Sequence, residues 1–304
     1  MSCYDVLDDR FRELFIGHAK LEHLWTGARW SEGPVYVPAA RHLIWSDIPN
    51  DRLLRFNEDD GHVSVFASAV GFHNGHTLDH QGRIIACEHG LRRVSRLEHD
   101  GSWRVLCDRI DGKRFNSPND VVVKSDGTIW FTDPTYGIDS SYEGQQAASE
   151  IDGSYVYRYD PMTGSIRAMV MDRVKPNGLA FSLDETELFV SDTGASHVKG
   201  TPAAIHAYSP GADGESLTYS RVAATCDAGL FDGFRVDWLG NLWASSANAV
   251  RCHAPDGTLI GRIPVPEIVG NLCFGGPKRN RLYIAAQTSL YAIYLKTHAI
   301  GYSL

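Results

Sequence analysis

The 304-residue chain lacks the short patterns that assign a chemistry at once. It has no Gly-x-Ser-x-Gly, His-Glu-x-x-His, Gly-x-Gly-x-x-Gly or Gly-Lys-Ser/Thr, so a nucleophile elbow, a zinc-protease helix, a dinucleotide fold and a phosphate loop are all unsupported. The acidic turn Asn57-Glu58-Asp59-Asp60-Gly61 lacks the ligand spacing of an EF-hand. Its six cysteines (Cys3, Cys87, Cys107, Cys226, Cys252, Cys273) form no Cys-x-x-Cys pair and read as small core residues in a reducing compartment. Basic charge is also short: 29 Lys and Arg face 37 Asp and Glu, for a net charge of −8. That balance argues against nucleic acid, whose binding needs clustered cations. No apolar run approaches membrane-spanning length, and Met1 to Lys20 lacks the basic-then-apolar pattern of a signal peptide. The expectation is a cytoplasmic protein with neither membrane nor nucleic acid as partner, whose oligomeric state the sequence leaves open.

What the chain does have is repetition. The stretch Arg114 to Pro134 holds a polar knot, Ser117-Pro118-Asn119-Asp120, followed by Val121-Val122-Val123. A Ser125-Asp126-Gly127 turn leads on to Ile129-Trp130-Phe131. Branched and aromatic runs around an Asp-Gly turn predict a hairpin. Similar units begin near Glu32, Asn74, Asn177, Asp232 and Asn271, with second strands starting at Leu43, Ile84, Leu188, Leu242 and Leu282. Each polar residue lies 10 or 11 positions before its second strand. Glu32, Asn74, Asn119, Asn177, Asp232 and Asn271 therefore occupy one structural position repeated six times. Gly follows it in Glu32-Gly33, Asn74-Gly75, Asn177-Gly178 and Asp232-Gly233, where the backbone must turn unusually or approach a neighbour closely.

Weaker pairs of strands follow most of the hairpins. Four short strands per repeat of about 40 to 60 residues predict an all-β protein: a six-bladed β-propeller of four-stranded blades around a central channel. The last repeat runs out of chain before its outer strands, and Leu21 to Gly27 can supply one and close the ring. The division expected is an N-terminal helical extension at 1–20, with Val6, Phe11 and Leu14-Phe15 as its apolar stripe, and a single propeller domain at 21–304. Tyr136 to Gly153 is the longest insertion, polar and rich in Gly and Ser, and reads as a mobile loop near the site or a plain solvent loop.

Innermost propeller strands line the channel, so the six polar residues should ring one mouth. Two carboxylates and four amides offer only hard oxygen and nothing in a nitrogen or sulfur ligand pattern, which suits Ca²⁺, or less specifically Mg²⁺ and Mn²⁺. The alternative is that these residues merely cap their strands through Asx-type hydrogen bonds. His73 and His76 flank Asn74 and either touch substrate and transfer protons or are ordinary core or surface histidines; His89 follows in the same repeat and reads as an ordinary core or surface histidine.

Several motifs together resemble one known family. They are Ser31-Glu32-Gly33-Pro34, Trp45-Ser46-Asp47-Ile48, Cys87-Glu88-His89-Gly90, Asn116-Ser117-Pro118-Asn119-Asp120, Phe131-Thr132-Asp133-Pro134, Pro176-Asn177-Gly178-Leu179-Ala180-Phe181-Ser182 and Asp232-Gly233-Phe234-Arg235-Val236-Asp237. From about residue 20 to the end they resemble, in order and spacing, the gluconolactonase branch of the senescence-marker-protein (regucalcin-like) family. The resemblance implies a six-bladed propeller with one divalent cation at the channel mouth, most often Ca²⁺, with Mg²⁺, Mn²⁺ or Zn²⁺ as substitutes in vitro. It implies Glu32, Asn177 and Asp232 as metal ligands. Asn119 would complete the shell or contact substrate, and Asp232 would also be the catalytic residue. The bracketing of Asn74 by His73 and His76 departs from the family pattern.

The function expected is metal-dependent hydrolysis of sugar lactones, with a small-molecule lactone as the partner. Asn74, Asn119, Asp133, Arg114, Tyr136 and His76 are the candidates for contacting substrate. The alternatives are phosphotriester-type hydrolysis at the same metal, or a non-enzymatic calcium-binding propeller. An enzyme needs an open polar pocket above the ring, whereas a scaffold would cover the ring with apolar side chains.

Overall fold

Apolar residues alternating with short polar turns place four antiparallel strands in succession five times over, and three more at the end of the chain that a strand from its beginning completes. The computed structural model describes residues 3–213 and 215–300. Blade 1 runs Ser31–Val37, His42–Asp47, Arg52–Asn57 and Val63–Ser68. Blade 2 runs His73–Leu78, Ile84–Glu88, Arg93–Leu97 and Trp103–Cys107. Blade 3 runs Val121–Val123, Ile129–Asp133, Tyr155–Tyr159 and Ile166–Val170. Blade 4 runs Pro176–Phe181, Leu188–Asp192, Ala204–Pro210 and Leu217–Thr225. Blade 5 runs Phe231–Val236, Leu242–Ser246, Ala249–His253 and Leu259–Pro264. Blade 6 takes Val269–Gly275, Arg281–Ala286 and Ser289–Tyr294 from the end of the chain, and Glu22–Thr26 from its beginning. Glu22 pairs with Ala292 and Thr26 with Ser289, so the ring is closed as expected. The inner strands neighbour one another all the way round. No helix among the described residues is long and apolar enough to cross a membrane.

The helix expected at the N-terminus is a five-residue 3-10 turn, Asp9–Glu13, capped by the Asp8 carboxylate on the Arg10 N–H. Before it, Asp5–Val6 adds a fifth strand to blade 5, pairing with Arg262 and Gly261. The apolar stripe was too short to sustain a helix, while the edge of blade 5 offered unpaired backbone groups. Phe11 is fully buried against Trp243, ring centroids 5.9 Å apart, and a Cβ on Gly261 would come within 2.2 Å of the Phe11 ring. Packing between blades is apolar, with Trp45, Trp243, Tyr157 and Tyr283 among the largest fully buried side chains. All six cysteines are free.

Two adjacent side chains at the end of the second strand build the channel mouth. The first is a hydroxyl that reaches the next blade's inner-strand carbonyl. Ser46 Oγ donates to Asn74 O at 2.9 Å, Thr132 Oγ1 to Asn177 O at 2.7 Å, Ser191 Oγ to Asp232 O at 2.9 Å, and Ser245 Oγ to Gly270 O at 2.7 Å. The second is a carboxylate that collects N–H groups of its own blade's loops, chiefly the one leading into the inner strand. Asp47 accepts from Arg29 N at 2.8 Å, and Asp133 from Asn116 N and Ser117 N, both at 2.8 Å. Asp192 accepts from Val174 N, Lys175 N and Gly194 N at 3.0, 2.9 and 2.8 Å. Asp192→Asn turns one acceptor oxygen into a donor facing those N–H groups. It should lower unfolding free energy by about 1–3 kcal/mol. The urea midpoint should therefore fall with an unchanged slope; an unmoved midpoint would deny these bonds their role.

Candidate active site

Five of the six inner strands carry register breaks close to their ring residues: between Glu32 and Val35, His73 and His76, Pro176 and Leu179, Phe231 and Phe234, and Val269 and Asn271, while Asn119 lies in the loop just before Val121–Val123. A bulge there re-aims the side chain toward the channel mouth. Glu32, Asn74, Asn119, Asn177 and Asn271 are buried, and Asp232 is half-buried. The glycines after the ring positions allow close approach. Gly33 has φ +52°, and a Cβ there would lie 1.8 Å from Asn74 O; a Cβ on Gly178 would lie 2.4 Å from Asp232 O.

The two ring carboxylates share one electrostatic neighbourhood. Burial raises the Glu32 carboxyl well above its ordinary range, and the charge of Asp232 adds to that shift. The Gly33 N–H at 2.8 Å and the Asn271 amide oppose it. Burial pushes Asp232 up to about 8, reinforced by Glu143 and Asp120 and opposed by a hydrogen bond from Asn177. Buried carboxyls held in this way favour a compensating positive charge, either a proton or a cation. Among the described residues no three His, Cys, Asp or Glu side chains cluster closely enough to hold an ion by themselves. The oxygens available to an ion beside the two carboxylates include the side-chain amides of Asn177 and Asn119, which line the same cavity. That all-oxygen donor set fits Ca²⁺ or a similar hard divalent cation.

Asp120 is already committed. Its carboxylate pairs with Arg235 Nη1 at 3.3 Å, which also donates to Phe234 O at 2.7 Å, and it accepts the Val121 N–H at 2.9 Å. The sequence showed no cation within the ring. The fold supplies one from three residues beyond Asp232, where it faces Asp120 from across the channel.

Above the ring opens a cavity of about 480 Å³, lined by Glu32, Asn74, Asn119, Asn177 and Asp232 together with Trp30, Tyr136, Glu143, His197 and Ile268. The insertion at 136–153 contributes two of these groups and lies against the site. Its first residues form a helical turn, Tyr136–Asp139, and the loop closes on it through Gln145 N to Gly137 O at 3.0 Å and Ala147 N to Ile138 O at 3.1 Å. Tyr136 Oη shares a hydrogen bond of 2.7 Å with Thr193 Oγ1, and its ring carries the Lys175 ammonium 4.8 Å from the centroid. Lys175 is held in turn by Asp139 at 2.8 Å. Glu143 was not among the expected site residues; burial in the cavity pushes it up to about 7. The position of the insertion directly after blade 3's second strand was the only signal for it.

Other expected residues fall elsewhere. Asp133 is fully buried and occupied with the Asn116 and Ser117 N–H groups, so it shapes the loop and does not line the cavity. Arg114 sits in a two-residue strand, Lys113–Arg114, donates to Leu91 O at 3.0 Å, and stays outside the cavity. His76 is buried on its inner strand, with Nδ1 donating to Gly33 O at 2.7 Å and Nε2 facing His73 Nδ1 at 3.3 Å. It lines a second cavity that also touches Arg235, Phe181 and Phe274, and not the one that holds Glu32 and Asp232. Burial holds His76 near 3, so it remains neutral. His73 lies 3.6 Å from the Glu88 carboxylate and edge-on to Trp103. His89, one residue past blade 2's second strand, is the histidine that reaches the ring: Asn74 Nδ2 is 3.1 Å and Asn119 Nδ2 3.5 Å from its Nε2.

Fold and site together define a six-bladed propeller with an acidic, amide-rich cleft at one channel mouth. The chain belongs to the SMP-30/Gluconolactonase/LRE-like family, whose sequence model matches residues 30–288. It is 32% identical to a gluconolactonase of Zymomonas mobilis over 302 residues, covering 91% of this chain and 82% of that one. It is 29% identical to a pentonolactonase of Haloferax volcanii, covering 85% and 82%. Among solved structures, a gluconolactonase from Xanthomonas campestris superposes with a TM-score of 0.88 at 38% identity, covering 96% of this chain and 95% of that one.

Proposed function

We propose that this chain hydrolyses sugar lactones at the mouth ringed by Glu32, Asn74, Asn119, Asn177 and Asp232. A divalent cation, Ca²⁺ before others, would be held by Glu32, Asn177 and Asp232, with Asn119 beside it. The observation that carries the reading is the pair of ring carboxyls, Glu32 buried and Asp232 half-buried, whose titration is raised and which open into a cavity of about 480 Å³. An open cavity with Tyr136, Glu143 and His197 on its walls supports an enzyme over a scaffold propeller, which would have an apolar cover. The names of the relatives, a gluconolactonase and a pentonolactonase, support a sugar lactone over a phosphotriester.

The cation, when bound, supplies Lewis-acid polarisation of the lactone carbonyl and charge for the developing oxyanion. The chain's own residues do the rest. Asp232 takes a proton from the water that attacks the carbonyl carbon, and returns it to the ring oxygen as the C–O bond breaks. The product is the open hydroxy acid, which then releases a proton to solvent. Asn119 and Asn74 orient the carbonyl and the sugar hydroxyls. Glu143 and Tyr136, brought in by the insertion, face the polyol side of the substrate.

A panel of aldonolactones, aromatic lactones and phosphotriesters, followed with a pH indicator in the presence of Ca²⁺, tests the reading. Aldonolactones should open fastest. Faster turnover of phosphotriesters, or no turnover of any lactone, would overturn it. Glu32→Gln should weaken Ca²⁺ binding in calorimetry more than Asn74→Ala does, because only the first removes a negative charge from a hard cation. Equal losses would mean that the ligands are misassigned.

A further inference from the structure

The hydrogen bonds around His89 are directional, and for a neutral ring they admit a single arrangement. His89 is fully buried at the start of the loop that follows Ile84–Glu88, with its backbone N–H bonded to Phe72 O at 2.9 Å. Its Nδ1 faces Glu143 O at 3.2 Å. A carbonyl only accepts, so Nδ1 carries the hydrogen. In a neutral ring Nε2 is then an acceptor, and both groups facing it must donate. Those groups are the side-chain amides of Asn74 at 3.1 Å and Asn119 at 3.5 Å. With both NH₂ groups turned to the imidazole, both Oδ1 atoms are free to turn away from it. The opposite ring nitrogen holds the insertion by a backbone carbonyl at Glu143, the residue whose side chain lines the cavity. The insertion also packs flush on this histidine: a Cβ added to Gly137 would lie 2.5 Å from His89 Cβ.

We propose that His89 is a positioning residue which, as the neutral Nδ1–H tautomer, fixes the amide orientation of Asn74 and Asn119 and anchors the 136–153 insertion over the cavity. One imidazole thereby couples two ring residues from adjacent blades to the loop that carries Glu143. A ligand-side partner of this kind typically governs metal affinity by about 10–100-fold without touching the ion. The inference rests on the proposed function only where it concerns Ca²⁺; the tautomer and the loop anchor stand apart from it.

The test uses the full chain with ¹⁵N-labelled histidine and the variants His89→Gln and His89→Leu. Long-range ¹H–¹⁵N spectra of the parent, with the His89 signals assigned by their loss in His89→Gln, should show the Nδ1–H tautomer at neutral pH. An Nε2–H ring or an imidazolium would overturn the proposal. Amide exchange at Gln145 and Ala147, whose bonds close the insertion on Gly137 and Ile138, should quicken in both variants. Unchanged exchange would remove the anchor. Gln retains an acceptor near the Nε2 position and Leu does not. Ca²⁺ affinity by calorimetry should therefore fall about 10–100-fold in His89→Leu and stay close to the parent in His89→Gln. Equal affinities in parent and His89→Leu, or equal losses in the two variants, would overturn the positioning role. A parent that binds no Ca²⁺ would refute the proposed metal site, while its tautomer and exchange rates would still decide what His89 does.

Discussion

Asp232→Asn should retain Ca²⁺ binding at raised concentration and yet turn over lactone roughly 10²- to 10⁴-fold more slowly than the parent, the usual loss for a missing general base. In barrier terms this is about 3–5 kcal/mol at 1.36 kcal/mol per tenfold. The substitution keeps the side chain's shape and one oxygen for the ion, and removes the charge and the basicity. Asp232 is singled out by its surroundings. Glu32 is buried and engaged by the Gly33 N–H and the Asn271 amide, whereas Asp232 is half-buried at the cavity floor with Asn177 as its hydrogen-bond partner. On the proposed reading Glu32 would hold the ion and Asp232 would meet the substrate as well. The measurement is turnover against Ca²⁺ concentration, with occupancy read independently by calorimetry. Turnover within about tenfold of the parent at full occupancy would make Asp232 a ligand alone and move the search for the base to Glu143.

Exhaustive chelation should bring lactone hydrolysis down to the uncatalysed rate, and added Ca²⁺ should restore it. The physical reason is the acidic mouth: Glu32 and Asp232 share it with Glu143 and Asp120, while the nearby cations are already engaged, Arg235 with Asp120 and Lys175 with Asp139. The same argument predicts a change in stability. At a hundredfold excess over its dissociation constant a bound ligand stabilises the fold by about 2.7 kcal/mol. With an unfolding entropy of roughly 2.1 cal/mol/K per residue, that corresponds to a melting shift of about 4 °C for a chain of 304 residues. Full activity after confirmed metal loss would remove the metal from the reaction, and a melting curve indifferent to Ca²⁺ would remove it from the site.

The repeat was legible because it is local. A polar residue 10 or 11 positions before an apolar strand is a spacing within one hairpin, and hairpin geometry carries it unchanged into every blade. Six such hairpins dictate both the propeller and the convergence of Glu32, Asn74, Asn119, Asn177, Asp232 and Asn271, since the heads of inner strands must meet at one mouth. Closure by Glu22–Thr26 was readable for the same reason: blade 6 lacked a strand, and the beginning of the chain had one to spare.

The assignments that failed to converge depended on which neighbour a side chain meets, and no spacing encodes that. Asp133 looks like a site residue in sequence, but the pairs Trp45-Ser46-Asp47, Phe131-Thr132-Asp133 and Val190-Ser191-Asp192 repeat because each Asp gathers its own loop's N–H groups and each hydroxyl bonds the next blade. His76 and His89 are equally plausible histidines by position. A one-residue change of strand face sends His76 into the channel toward Gly33 O, while the turn after Glu88 carries His89 to two ring amides. Arg235 and Glu143 enter from another blade and from an insertion, at sequence distances where only folding creates contact. By itself the sequence determined the architecture and the ring, because both follow from short-range periodicity; the tertiary structure alone decided which charges are paired, which histidine touches the ring and which loop roofs the cavity, because those depend on approaches between blades that no local pattern records.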